Sequence, residues 1–205
     1  YYYQCLLNPG DELAHAARSY IYERRGLKPE IIEQFGIGFS PASGKESIAF
    51  LMEAGFSGQD VIKAGVGVVT KSGELLDRFR GRITFALHDV QGRVIGFGGR
   101  ILGDGEPKYV NVSDTPVFSK GRNLYGLFAS RNFIQRSHQA ILVEGYMDFL
   151  TLFQEGINNC VASMGTSLTK DQAMLLRRYA EEVIICYDSD AAGQAATVRG
   201  MNILS

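Results

Sequence analysis

The sequence predicts an α/β fold, with an α+β first part followed by a mostly parallel β-α-β sheet. In the last third, apolar runs at 140–143, 160–163 and 183–187 alternate with helical patterns at 149–155, at 169–179 and from residue 190. Short apolar strands separated by helices call for a parallel sheet built by crossovers. In the middle, β-rich runs at 83–87 and 94–97 are joined by Asp89-Val90-Gln91-Gly92, which reads as a hairpin. Before Gly65 the apolar residues recur at helical spacing instead.

Taken in order, 11–25 places Leu13, Ala16, Ala17, Tyr20 and Ile21 at helical spacing, with Gly26 as the stop. Pro29 opens a short helix through 35, and further helices are expected over 45–54 and 59–64, the last after Ser57-Gly58. This part reads as packing and as a wall beside a site. Gly96, Gly98 and Gly99 mimic part of a dinucleotide fingerprint, but Arg100 follows and no helix does, so a Rossmann reading is rejected. Thr169 fits a helix cap, and Leu168, Leu175, Leu176 and Tyr179 fit that helix's buried face.

The chain of 205 residues is 45% hydrophobic, enough to bury a core in one large domain or two small ones. No apolar run approaches the ~18 residues of a membrane span, and no basic region with an apolar signal core opens the chain. A cytoplasmic protein without membrane partners is expected. Cys5, Cys160 and Cys186 show no C-x-x-C spacing and read as buried structural thiols; His15, His88 and His138 are scattered, so no zinc site is expected within the chain. The chain starts without methionine and stops inside a helical pattern of Ala195, Val198, Met201 and Leu204, so it reads as a fragment.

The chemistry concentrates in VIICYDSDAAG, 183–193, where an apolar run, read as a fully buried strand, leads into Asp188 and Asp190. An i, i+2 pair in extended backbone points both carboxylates the same way. The alternative is that Asp190 merely caps the next helix and Asp188 is a turn residue. AILVEGYMD, 140–148, repeats the arrangement: Glu144 ends a strand, Gly145 turns, and Asp148 lies in the following helix. Parallel strands of similar length end on one edge, which brings Glu144 towards Asp188 and Asp190. Like charges that close repel unless a divalent cation neutralises them, and oxygen-only ligands favour magnesium or manganese.

Residues 78–122 carry eight basic side chains, Arg78, Arg80, Arg82, Arg93, Arg100, Lys108, Lys120 and Arg122, against four acids. The segment is net +4 and the remainder net −5. Arg78, Arg80 and Arg82 are expected on one strand face. A basic stripe beside an acidic metal cluster suits a polyanion and a metal-bound triphosphate, although a solvated strand face would look the same.

The EGYMD, SMGT (163–166) and DSDAAG stretches resemble the toprim domain of bacterial DnaG-type DNA primases. RGRITFALHDVQGRVIGFGGR, PKYVNVSDTPVFSKGRNLYGL and the RGL…FGIGF segment resemble the rest of that enzyme's RNA polymerase core, in the same order. Ser189 stands where the family most often has glycine. The resemblance implies a mixed subdomain over 1–135 with a basic face, and a toprim subdomain over 136–205 that another strand and acidic motif would follow. It implies synthesis of short RNA primers on a single-stranded DNA template from nucleoside triphosphates, with a replicative helicase as partner through regions outside the chain. Glu144, Asp148, Asp188 and Asp190 would hold magnesium or manganese, with Glu144, Asp188 and Asp190 catalytic. Arg100, Lys108, Asn111 and Lys120 would contact template or nucleotide, with Arg78, Arg80 and Arg82 as weaker candidates. A toprim nuclease or topoisomerase, a phage primase-helicase and a non-catalytic nucleic-acid-binding module are the rival readings.

Overall fold

The computed structural model describes residues 1–165 and 167–204; Thr166, the last residue of the SMGT stretch, and Ser205 lie outside the described residues. The chain folds as two compact units, one of residues 1–87 and 95–117, the other of residues 88–94 and 118–205.

The first unit opens with helices α1 (Tyr2–Leu7) and α2 (Glu12–Arg18), the latter capped by the Asp11 carboxylate, which accepts from the N–H groups of Leu13 and Ala14. The single helix expected over 11–25 is instead α2 followed by a π-helical turn over Ser19–Arg24, and Gly26 ends it with φ +65°. Helix α3 (Pro29–Gln34) starts at its proline, whose missing N–H is no loss in a first turn. Strand β1 (Gly38–Ser40), helix α4 (Glu46–Glu53) and helix α5 (Gly58–Lys63) follow, the last with a reciprocal Ser57–Asp60 capping box. Strands β2 (Gly67–Val69) and β3 (Leu75–Asp77) pair antiparallel. Strands β4 (Arg82–His88), β5 (Val94–Ile101) and β6 (Tyr109–Asn111) complete a four-stranded sheet of order β1-β4-β5-β6, in which β1 pairs antiparallel with β4 and β6 with β5. Phe35, Phe39, Phe79, Phe85 and Ile83 fill its core.

Asp77 is wholly buried at the end of β3. Its carboxylate accepts from Tyr2 Oη at 2.7 Å, Ser40 Oγ at 2.7 Å, Ser47 Oγ at 2.6 Å and the Phe79 N–H at 2.6 Å. Four donors satisfy a charge that would otherwise be very costly to bury. The same turn separates the three arginines expected on one strand face. Residues 78–81 form a turn with Gly81 at φ +68°, so only Arg82 stands on β4.

The second unit contains helix α6 (Leu127–Ser137), strand β7 (Gln139–Val143), helix α7 (Tyr146–Gln154), strand β8 (Cys160–Ala162), helix α8 (Lys170–Leu176), strand β9 (Glu182–Cys186) and helix α9 (Ala191–Leu204). The sheet is parallel with order β8-β7-β9, as the β-α-β alternation requires. Thr169 does cap α8, within a capping box with Gln172. Leu142, Val161, Leu168, Leu176 and Ile134 form the core.

Two expectations fail here. Strand β9 is not fully buried but alternates in exposure, with Ile184 38% exposed, because it is an edge strand and among the described residues nothing covers its outer face. Cys186 on that face is therefore exposed, whereas Cys160 on β8 is buried as expected. Helix α9 carries the helical pattern of Ala195, Val198, Met201 and Leu204; it buries Gly193 and Gly200, leaves Val198 and Met201 exposed, and packs Leu204 against the core.

Candidate functional site

Register places the acids. Val143 of β7 pairs with both Ala162 of β8 and Cys186 of β9, so all three strands end level and Glu144, Ser163 and Tyr187 share one rim. Glu144 Oε1 accepts the backbone N–H of Asp188 at 3.3 Å, and the Glu144 carbonyl accepts the Gly165 N–H at 3.0 Å. Burial holds the Glu144 carboxyl above the ordinary glutamate range, and the charges of Asp188, Asp190 and Asp148 push it the same way; the Asp188 N–H opposes them.

Asp148 lies in the first turn of α7, where its Oδ2 accepts the Gly145 N–H at 2.9 Å. Asp188 and Asp190 are exposed, and they sit past β9 in coil and bend rather than in extended strand. Their direction therefore comes from the turn, not from strand alternation. Asp190 Oδ1 accepts the Gly193 N–H at 2.7 Å, so Asp190 does cap α9, while its second carboxylate oxygen is not used by the cap. The turn depends on Gly193: a Cβ there would lie 2.0 Å from the Asp188 carbonyl oxygen.

Met164 and Gly165, in the loop after β8, have φ +63° and +75°. A left-handed methionine is uncommon, and it stands on the rim that carries the acids. Tyr187 Oη donates to Ser163 Oγ at 3.4 Å, closing the rim on its inner side.

Among the described residues, no three His, Cys, Asp or Glu side chains are gathered tightly enough to hold a metal ion as they stand. The donor set nevertheless fits a divalent cation: it consists of carboxylates on one edge, two of them exposed and able to turn, and a cation would offset both the burial and the like charges that raise Glu144.

The basic candidates of the first unit are mostly occupied by backbone. Arg78 Nε donates to the Gly65 carbonyl at 2.9 Å, and Arg80 Nη1 to the Asp77 carbonyl at 3.0 Å. Buried Arg82 donates through Nη1 to the Pro107 carbonyl at 3.0 Å, which ties β4 to the loop before β6. Arg100, near the end of β5, is 7% exposed and lies over the face of Tyr20, its Cζ 4.1 Å from the ring centroid. It lines a cavity of about 380 Å³ together with Tyr20, Arg24, Lys108 and the 103–106 loop. Lys108 is exposed, and Asn111 stands opposite Gly98 in the β5–β6 pairing.

In the second unit, Lys120 lies in a 3-10 turn over Lys120–Arg122 that is fastened to α8. Gln172 Nε2 donates to the Lys120 carbonyl at 3.1 Å, Thr169 Oγ1 donates to the Gly121 carbonyl at 2.5 Å, and Arg122 pairs with Asp171 at 3.0 Å. Sequence reading missed Tyr20, which counted only as an apolar helix position, and it missed the reason for Gly193. No periodicity signals a π-helical turn, and no composition signals a backbone approach.

Residues 2–131 match the DNA primase catalytic core, N-terminal domain, and residues 141–205 match the Toprim-like family. The DNA primase of Clostridium acetobutylicum is 49% identical over 92% of this chain, and that of Escherichia coli K12 is 44% identical over 98%. The chain spans 31% and 34% of those two relatives, about a third of the length of each. Among solved structures, the DnaG primase catalytic domain bound to ssDNA superposes with a TM-score of 0.86 at 43% identity, covering 98% of this chain and 62% of the other.

Proposed function

The chain belongs to the DNA primase family, whose catalytic core it matches, and we propose on that basis that it is part of a DNA-directed RNA polymerase that makes short RNA primers on single-stranded DNA from nucleoside triphosphates. The observation that carries the reading is the rim on which Glu144 accepts from the Asp188 N–H, its carboxyl held up first by burial and then by the charges of Asp188, Asp190 and Asp148. Such a cluster opposes folding unless it is built for a cation.

Glu144, Asp148, Asp188 and Asp190 would hold magnesium or manganese. When bound, the metal supplies charge neutralisation at the phosphates and a lowered pKa for an attacking 3′-hydroxyl. The chain's own part is positioning. The Asp188 N–H orients Glu144, Gly193 lets α9 begin against the Asp188 backbone, and Asp190, with one oxygen in the cap, would offer its other to the ion. Arg100, Lys108, Asn111 and Lys120 contact the phosphates of template or nucleotide, arginine as a fork and lysine as a point charge. Arg78, Arg80 and Arg82 act mainly by shaping the backbone that carries them, since each is bound to a carbonyl. Template binding accords with the relative solved with ssDNA. The replicative helicase would dock on regions outside these residues, and the protein would work in the cytoplasm; no helix of the described residues is long and apolar enough to cross a membrane.

The test is Asp188→Asn in the full protein, with magnesium-dependent RNA synthesis on single-stranded DNA as readout. Loss of synthesis with template affinity retained supports the reading, and synthesis at the wild-type rate overturns it.

A further inference from the structure

Arg100 is held in a way that its backbone does not explain. The side chain is more than nine-tenths buried, its Nη1 donates to the Ile101 carbonyl at 3.1 Å, and its Nε has no hydrogen-bond partner among the described residues. An orphaned buried donor on a cation works against stability unless a further acceptor completes it. The cavity beside it is where that acceptor would enter.

Three basic side chains, Arg24, Arg100 and Lys108, line this cavity against two acids, Asp104 and Glu106, and Arg25 lies against the same tyrosine. Tyr20 is the surface on which these arginines gather. Its ring takes Arg100 at 4.1 Å, Arg25 at 5.2 Å and Arg24 at 5.8 Å, and the Tyr109 ring centroid is 5.9 Å from Arg100. Tyr20 is itself fixed: it is 8% exposed, Arg25 Nε donates to its Oη at 2.6 Å, and it sits in the π-helical turn rather than in α2. A wider turn rotates the side chains that follow it relative to an uninterrupted α-helix, and such turns are often found at functional sites.

We propose that Tyr20 is a positioning residue for Arg100, holding the guanidinium over its ring face so that an N–H edge meets a phosphate in this cavity. The ring supplies a negative face to the cation and removes rotamer freedom before the anion arrives. The proposal rests on the reading of Arg100 as a phosphate contact. The phosphate belongs either to the incoming nucleoside triphosphate or to the template backbone, and the two are separated by which constant moves.

The experiment compares wild type, Tyr20→Leu, Tyr20→Phe, Arg100→Ala and the double variant Tyr20→Leu/Arg100→Ala in the full protein. KM and kcat are measured with ATP as the varied nucleotide, and Kd with a labelled single-stranded DNA. Tyr20→Leu is expected to raise one of these constants roughly five- to thirtyfold, the range of a desolvated cation–π contact, with kcat moving less than that. Tyr20→Phe keeps the ring face and is expected to restore most of the loss. The double variant should be no worse than Arg100→Ala alone, because the tyrosine acts only through the arginine.

A rise in KM assigns the nucleotide, and a rise in Kd assigns the template. If Arg100→Ala raises a constant but Tyr20→Leu does not, or if the two effects multiply, Tyr20 is ordinary packing and the proposal fails. If Arg100→Ala moves neither constant, the phosphate reading of Arg100 has failed and takes the proposal with it. Should Tyr20→Leu not fold, progressively fluorinated phenylalanines at position 20 keep the shape and weaken the ring face. The constant should then climb with each fluorine, and a flat series overturns the proposal.

Discussion

The backbone N–H of Asp188 reaches Glu144 Oε1 at 3.3 Å across 44 residues of sequence. The contact joins the ends of two adjacent parallel strands in register, and it makes one carboxylate answerable to the charges of three others. Neutralising a member of this group therefore acts on metal binding and on folding in opposite directions.

Glu144→Gln and Asp188→Asn are each expected to abolish metal-dependent synthesis, and to leave thermal stability in chelator unchanged or raised, because repulsion is relieved. Magnesium should raise the melting temperature of the wild type and do so much less for either variant. Thermal melts with and without magnesium check this.

The raised Glu144 carboxyl sets a pH dependence. Folded Glu144 takes up its proton at a higher pH than the unfolded chain does. Its contribution to stability is fully present below the unfolded pKa and is lost as pH rises through the folded one. In chelator, wild type should thus lose stability relative to Glu144→Gln as pH climbs out of the acidic range. The cation has the reverse preference: its affinity should fall as pH drops through the raised pKa, beginning at a higher pH than an ordinary glutamate would allow. Magnesium titrations between about pH 4.5 and 7.5 follow the second effect, around the usual carboxyl range.

Gly193→Ala tests the start of α9. In an exposed helix the change would stabilise by up to ~1 kcal/mol. Here the new Cβ would sit 2.0 Å from the Asp188 carbonyl oxygen, a backbone atom that cannot turn aside. A loss of about 1–3 kcal/mol is expected from overpacking, with weaker magnesium binding as Asp188 is displaced. Gly200→Ala is the comparison: its Cβ would meet only the Ile185 Cδ1 at 2.9 Å, the end of a flexible side chain, and should be milder. Denaturant melts of both variants decide the order.

Lys108→Ala distinguishes a phosphate contact from a solvated surface lysine. If Lys108 neutralises one template phosphate, the slope of log K against log salt for single-stranded DNA becomes shallower by about 0.7, with equal losses on unrelated sequences. If it holds the triphosphate instead, the slope stays and the nucleotide KM rises. Binding isotherms at several salt concentrations separate the two.

Much of this protein is written locally. The alternation of apolar runs and helical patterns from residue 140 onward is enough for a parallel sheet, because strand and helix periods are set by neighbouring residues and crossover geometry leaves few topologies. The Thr169 cap and the placing of Glu144 at a strand end follow from the same short-range rules. The separation of charge between 78–122 and the rest of the chain is likewise countable from residues alone.

What could not be read was whatever depends on partners far along the chain. Asp77 looks like any turn acid until Tyr2, Ser40 and Ser47 arrive from 75, 37 and 30 residues away to satisfy it. The outer face of β9 reads as core because its residues are apolar, but exposure depends on which elements pack over a strand, not on what the strand contains. Arg78, Arg80 and Arg82 alternate in sequence yet not in space, since a turn around buried Asp77 interrupts the period that would have aligned them. Tyr20 and Arg100 meet through a π-helical turn in one place and a strand end in another, and a ring that holds a guanidinium leaves no trace in the spacing of either.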